Sequence, residues 1–303
     1  MLRTVTTIDD LRTSLGLLRF PDHTIGLVPT MGALHAGHRT LLEASSAATE
    51  FTVATIFVNP TQFGPHEDYD AYPRTLEADQ ALLEDAGVSL LFAPKAITDL
   101  YHPGFGTWVL AKDAESDDIL CGAHRPGHFR GVLTIVAKLF NLIQPDMAFF
   151  GQKDFQQAWL IRRMARDLDM PVDVRIVPTV REDDGVALSS RNRFLSPTDR
   201  AAAPVLSEAL AVGRTLIEAG VRQVSQVEAG MVAVLNTVPA FKLQYCEVRA
   251  ADTLEALDRI DGEVVLAIAG FFGKTRLIDN DLVTLTPGSP SSILQGASSC
   301  SAN

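Results

Sequence analysis

Two histidines three positions apart, His35 and His38, lie in the segment Pro29-Thr30-Met31-Gly32-Ala33-Leu34-His35-Ala36-Gly37-His38. A helix starting near His35 puts the pair on one face, and the unpaired amides of that helix start can receive phosphate. Gly32 and Gly37 allow close backbone approach. A neutral imidazole can donate a hydrogen bond, and a protonated one can also offset phosphate charge; the sequence leaves both forms open. Such groups suit an α-phosphorus that becomes more crowded and more negative in its transition state. Taken singly, either histidine is better explained as a helix cap or a satisfied surface residue. Metal binding is disfavoured, because no third ligand stands at a suitable spacing. The segment also lacks the spacing of GxxxxGK[ST] and of GxGxxG, so neither a P-loop nor a dinucleotide fingerprint is supported.

Three further groups could act beside the pair. Gly151-Gln152-Lys153-Asp154 follows an apolar run and opens a helix. The glycine permits close nucleotide approach, Lys153 can oppose phosphate charge, and Asp154 can bind ribose hydroxyls; a plain turn with a helix cap explains the same residues. Ser189-Ser190-Arg191 supplies two hydroxyls and a charged fork that can close over phosphates without a covalent intermediate. Gln62, Tyr72 and Gln157 suit a small acid bearing hydroxyls, since amides both donate and accept.

These residues need a scaffold, and the chain alternates elements through its first two-thirds. Apolar runs at 24-29, 51-58, 88-92, 147-150 and 172-177 read as strands, with helices at 37-48, 75-86, 129-143 and 155-168. Short apolar strands with intervening helices predict a Rossmann-like parallel sheet covered on both faces. After about Thr179 the pattern changes. Helices are expected at 200-219 and 223-235, and strands at 242-249 and 264-269, giving a smaller α+β domain. The expected division is therefore 1-179 and 180-286, with 287-303, rich in Ser, Gly and Pro, as a loose tail. The segment 59-74 reads as a functional loop or lid, with Asp68 and Asp70 shaping it.

The length of 303 residues accommodates such an arrangement. A hydrophobic fraction of 47% supports a core, and 21% charged residues argue against a disordered chain. The net charge of −11 disfavours nonspecific binding to nucleic acid or an anionic membrane, while leaving room for a local basic cleft. Cys121, Cys246 and Cys300 include no close pair, so they form neither a disulfide framework nor a structural zinc site. That usage fits a reducing, cytoplasmic compartment. The start, MLRTVTTIDDLRTSL, lacks a continuous apolar signal and reads as a strand or turn followed by a short helix. No apolar run reaches membrane-spanning length.

PTMGALHAGH resembles the HxGH-type nucleotidyltransferase motif in the form used by the pantothenate synthetase (pantoate-beta-alanine ligase) family. NPTQFGPHEDYDAYPRTLEAD at 59-79, RPGHFRGVLTIVAKLFNLIQPDMAFFGQKDFQQ at 125-157, VREDDGVALSSRNRFLS at 180-196 and GKTRLIDN at 273-280 match in order, so the resemblance covers residues 29-280. It implies an AMP-forming ligase that makes pantothenate from pantoate, beta-alanine and ATP through an enzyme-bound pantoyl adenylate. His35 and His38 would then contact the ATP phosphates, with Met31 beside the reacting groups. Gln62 and Gln157 would surround pantoate, and Phe63 would form an apolar wall. Gly151, Lys153 and Asp154 become nucleotide-site residues, and Arg125 and His128 further substrate-site candidates. Ser189-Ser190-Arg191 resembles the counterpart of the KMSKS signature but departs from its lysine-containing form. Asp79 is a candidate Mg2+ contact or water organiser. Ala78 stands where relatives often present another acid, so magnesium is expected mainly on ATP phosphates and water. The resemblance also implies a homodimer. Two alternatives remain at this point: an enzyme of this fold adenylating another small carboxylic acid, and a nucleotide-binding regulatory module without turnover.

Overall fold

Buried apolar runs flanked by turn residues form the strands of the larger sheet. The computed structural model describes residues 2–65, 67, 69–111 and 118–285. The expected tail at 287-303, Asp68 and Cys300 lie outside the described residues. Six strands pair in parallel: β1 (Arg3–Val5), β2 (Ile25–Thr30), β3 (Phe51–Ile56), β4 (Leu90–Phe92), β5 (Met147–Gly151) and β6 (Asp173–Val177). Their order is β1-β4-β3-β2-β5-β6. The direction of winding therefore reverses between β2 and β5, which opens a crevice beyond their carboxyl ends.

Helices α1 (Ile8–Leu18), α2 (Ala36–Ala48), α3 (Leu76–Asp85), α4 (Leu120–His124), α5 (His128–Ile143) and α6 (Phe155–Asp167) connect these strands. Strand alternation divides the apolar side chains between two faces. Leu27, Val53, Ala148 and Phe150 pack with Leu11 of α1, Leu133 and Leu139 of α5 and Ile161 of α6. Val28, Ala54 and Phe149 turn the other way, onto Leu42 of α2 and Leu83 of α3. The doubly covered parallel sheet expected from the sequence is what the chain forms.

Beyond β6 come α7 (Pro197–Ala202), α8 (Val205–Glu218) and α9 (Val224–Leu235). The single helix expected over 200-219 is interrupted before Val205, because Pro204 has no amide to continue the ladder. An antiparallel sheet follows, in the order β7 (Phe241–Ala250), β8 (Val264–Phe272), β9 (Thr275–Val283). Val264, Leu266 and Ile268 face Leu210, Ile217 and Met231 of its own helices. Val265, Ala267 and Ala269 face the other way and join the core of the first sheet, together with Tyr245. β9 was not anticipated as a strand, since Asp279-Asn280-Asp281 is a run of strand-poor residues.

Candidate active site

The crevice at the reversal point is the mouth of a long cleft. Met31, His35 and His38 follow β2; Gln62, Phe63 and Tyr72 come from the segment after β3; Gly151, Lys153, Asp154 and Gln157 follow β5; Ser189, Ser190 and Arg191 follow β6. Arg125 and His128 close one side. Of the substrate, nucleotide and metal candidates named from the sequence, Asp79 alone does not line this cleft.

His35 is the N-cap of α2. Its Nδ1 accepts the Gly37 amide at 3.1 Å, and His38 Nδ1 accepts the His35 amide at 3.3 Å. The two imidazoles thus form a reciprocal capping box, a role more often filled by Ser or Thr with Glu. Their ring centroids are 4.1 Å apart. Burial is the main cause that lowers His35 to about 4, with Lys153 and Arg193 adding to it. Burial likewise lowers His38 to about 3, followed by the neighbouring His35. Both rings are therefore neutral near pH 7. With Nδ1 accepting, each ring proton resides on Nε2. Desolvation thus disfavours the cationic form that the sequence reading left open. Gly37 has a specific duty, since a Cβ there would lie 3.0 Å from His35 Cε1.

Asp79 holds the turn that precedes the pair. Gly32 and Ala33 both take positive φ, 85° and 52°, which exposes successive amides on one side. Asp79 Oδ2 accepts from Ala33 N at 3.0 Å and Oδ1 from Leu34 N at 2.8 Å, while Thr75 Oγ1 donates to the same carboxylate. The side chain is 3% exposed. Its oxygens thus accept hydrogen bonds inside the protein and hold the turn in place. Among the described residues no three His, Cys, Asp or Glu side chains gather in a metal-binding group.

Gln62 is held by residues that the sequence reading passed over. Asn59, 1% exposed, donates from Nδ2 to Gln62 Oε1 at 2.9 Å and to the Gly131 carbonyl at 3.2 Å. Its Oδ1 accepts from Thr61 Oγ1 and from Tyr101 Oη, each at 2.9 Å. Gln62 Nε2 then reaches Met31 Sδ at 3.2 Å. His128 Nδ1 donates to the Gln62 carbonyl at 2.8 Å, and His128 Nε2 accepts from Arg125 Nη1 at 2.9 Å. Burial lowers His128 to about 3, with Arg125 the second cause. Arg125 in turn grips Glu67 through Nε and Nη2, both at 2.6 Å. Both His128 nitrogens are consequently engaged inside the protein, one with the Gln62 carbonyl and one with Arg125. Phe63 stands edge-on to Tyr69 and Tyr72, with centroids 5.4 and 6.0 Å away.

The opposite wall comes from two turns. Gln152–Asp154 is a 3-10 turn leading into α6, and a Cβ on the preceding Gly151 would meet nothing within 4 Å. The space beside Gly151 is thus open to a ligand. Ser189 Oγ caps a second 3-10 turn, Ser190–Phe194, by accepting the Arg191 amide at 3.2 Å. Asn192 anchors that turn to Glu182 Oε1 and the Ala187 carbonyl, each at 3.1 Å.

A Rossmann-like sheet, a site at its reversal point and an HxGH turn carrying neutral donors define an enzyme of the nucleotidyltransferase type. The profile of the family described as pantoate-beta-alanine ligase matches residues 3–282. The chain belongs to that family. It is 48% identical over 274 residues to the pantothenate synthetase of Moorella thermoacetica, covering 90% of this chain and 96% of that protein. The crystal structure of pantothenate synthetase from Thermus thermophilus superposes with a TM-score of 0.87 at 47% identity, over 92% of this chain and 98% of that one. A Francisella tularensis pantoate-beta-alanine ligase, solved with beta-gamma ATP and beta-alanine, gives 0.76 at 32% identity over 93% and 98% of the two chains.

Proposed function

We propose that His35 and His38, as neutral Nε2–H donors, serve the adenylation step of pantothenate synthesis, with Lys153 and the Ser189-Ser190-Arg191 loop holding the triphosphate. The enzyme condenses pantoate with beta-alanine at the expense of ATP, through pantoyl adenylate, releasing pyrophosphate and AMP. In the first half-reaction the pantoate carboxylate lies in line with the α-phosphorus, and pyrophosphate leaves. Negative charge grows on the α-phosphate oxygens, where fixed donors in a cleft shielded from water act strongly. Gln62 and Gln157 supply amides for the pantoate carboxylate and hydroxyls, Phe63 and Tyr72 the apolar wall, and Met31 the contact beside the reacting groups. Gly151 leaves room for the nucleotide, and Asp154 takes the ribose hydroxyls. In the second half-reaction the neutral amine of beta-alanine attacks the activated carbonyl and AMP leaves with loss of a proton. No enzyme nucleophile takes part.

The observation that best supports this reading is the convergence of four separate segments, each following a different parallel strand, on one cleft. Arg125 and His128 act on substrate through Gln62. The donor set does not suit a protein-bound magnesium cage, so Mg2+ would be carried by the phosphates of ATP and by water. The larger unit, 1-179, would bind ATP and pantoate, and the smaller one, 180-286, would bring the Ser189-Ser190-Arg191 loop to the phosphates. A cytoplasmic location belongs to the same reading and rests on the cysteine usage. No helix among the described residues is long and apolar enough to cross a membrane. Product analysis with ATP, magnesium, pantoate and beta-alanine, each omitted in turn, tests the reading. Pyrophosphate release should need pantoate and not beta-alanine; release that needs both from the outset would rule out a free-standing adenylation step.

A further inference from the structure

The block GKTRLIDN supplies no side chain to the main cleft, yet its last two residues are buried, Asp279 at 3% and Asn280 at 4% exposure. Both lie on β9, in the smaller sheet, and each reaches toward a different turn of the same wall of the active site. Asn280 Nδ2 donates to the carbonyls of Gln152 and Lys153 at 3.0 and 2.8 Å. Gln152 Nε2 returns a bond to Asn280 Oδ1 at 3.4 Å. The turn so gripped carries no side-chain cap of its own. Asp279 takes Arg181 Nη1 and Nη2 at 2.7 and 3.0 Å, and Arg181 Nη1 also binds the Gly185 carbonyl at 2.9 Å. An isolated bridge between Arg181 and Ala187 then leads directly into Ser189. Neighbouring residues on one strand therefore fasten the two phosphate-facing turns.

We propose that β9 is a splint for the nucleotide clamp. Asn280 is a positioning residue for Lys153, and Asp279 for the Ser189-Ser190-Arg191 loop, so that both turns are held at one spacing around the triphosphate. The proposal rests on the phosphate role given above to Lys153. Removing the Asn280 amide leaves two part-buried carbonyls without that donor, and the turn relaxes to recover partners. Displacement of about 1 Å is enough to lower a rate by about 10²-fold.

The test is a double-mutant cycle on the first half-reaction, measured as single-turnover pyrophosphate release from ATP and pantoate. Asn280→Ala should lower kcat/KM for ATP by about 10- to 100-fold. Asn280→Ser, which retains one donor, should fall between Asn280→Ala and the parent, and it carries the cycle if Asn280→Ala does not fold. Reaction of preformed pantoyl adenylate with beta-alanine, and the KM for pantoate, should stay within about twofold. With Lys153→Ala already in place, the Asn280 substitution should add little, because the group it positions is gone. Additive losses overturn the splint, as does an equal fall in both half-reactions accompanied by a lower Tm. Lys153→Ala with a normal first half-reaction would remove the role of Lys153 itself, a failure distinct from additivity.

Discussion

An imidazole whose Nδ1 already accepts a backbone amide has one remaining position at which to act. For His35 and His38 that position is a protonated Nε2, which can give a hydrogen bond to a developing phosphate oxygen but cannot take a proton from an amine. His38 should therefore serve adenylation rather than act as general base for beta-alanine. Substitution H38N keeps a short polar side chain and removes the aimed donor, so pyrophosphate release should fall about 10²–10³-fold, or about 2.7–4 kcal/mol. Transfer from preformed pantoyl adenylate should suffer less. Rapid-quench measurement of each step separates the outcomes, and a normal pyrophosphate step with a collapsed amine step would reverse the assignment. The pH profile gives a second reading of the same experiment. Burial keeps both rings deprotonated until about pH 4 or below, so the first half-reaction should show no inflection near the ordinary imidazole value of 6.5. An inflection there that disappears in H38N would mean that an imidazolium forms.

At the scale of elements, close approach is set by a missing side chain. Gly131 lies on α5 where the Pro60–Gln62 turn crosses it, and a Cβ would stand 2.6 Å from the Gln62 amide nitrogen. Overpacking of this kind costs about 1–3 kcal/mol. We expect G131A to push the turn away, raising the KM for pantoate about tenfold while the KM for ATP changes little. Steady-state kinetics with each substrate varied in turn is the check; equal effects on both constants would argue for a general loss of structure. This contact also shows where sequence reading ends. The motifs after β2, β5 and β6 were legible because each is local: a glycine turn, a helix start and a hydroxyl pair announce themselves within a few residues. Gly131 and Asn59 sat inside quoted blocks without a role, because each owes its importance to residues far along the chain. The hold of Asp79 on the amides of Ala33 and Leu34 was hidden for the same reason. β9 escaped notice because its polar residues are buried against partners that only the folded chain supplies.

For the whole molecule, the question is what covers its outer apolar surface. Leu110 is 66% exposed and Trp108 is 36% exposed, the latter under the guanidinium of Arg130 at 4.8 Å. We propose a homodimer on the family resemblance. Light scattering across a concentration series should report twice the mass of one chain at working concentrations, and a persistent single-chain mass would contradict it.

The bonds made by Asp279 and Asn280 bear on the order in which the chain leaves the ribosome. The parallel sheet and its glycine turns are complete by residue 177, long before β9 is synthesised. A nascent chain can thus pair the strands of its first sheet, while Tyr245, Val265, Ala267 and Ala269 of the same core, and the bonds of Asp279 and Asn280, are still to come. The last described strand pairs with β8, and its buried carboxylate and amide bind Arg181 and the Gln152–Lys153 carbonyls. If β9 is the splint proposed above, ATP activation waits until that strand has emerged, and a chain terminated before it should consume no nucleotide.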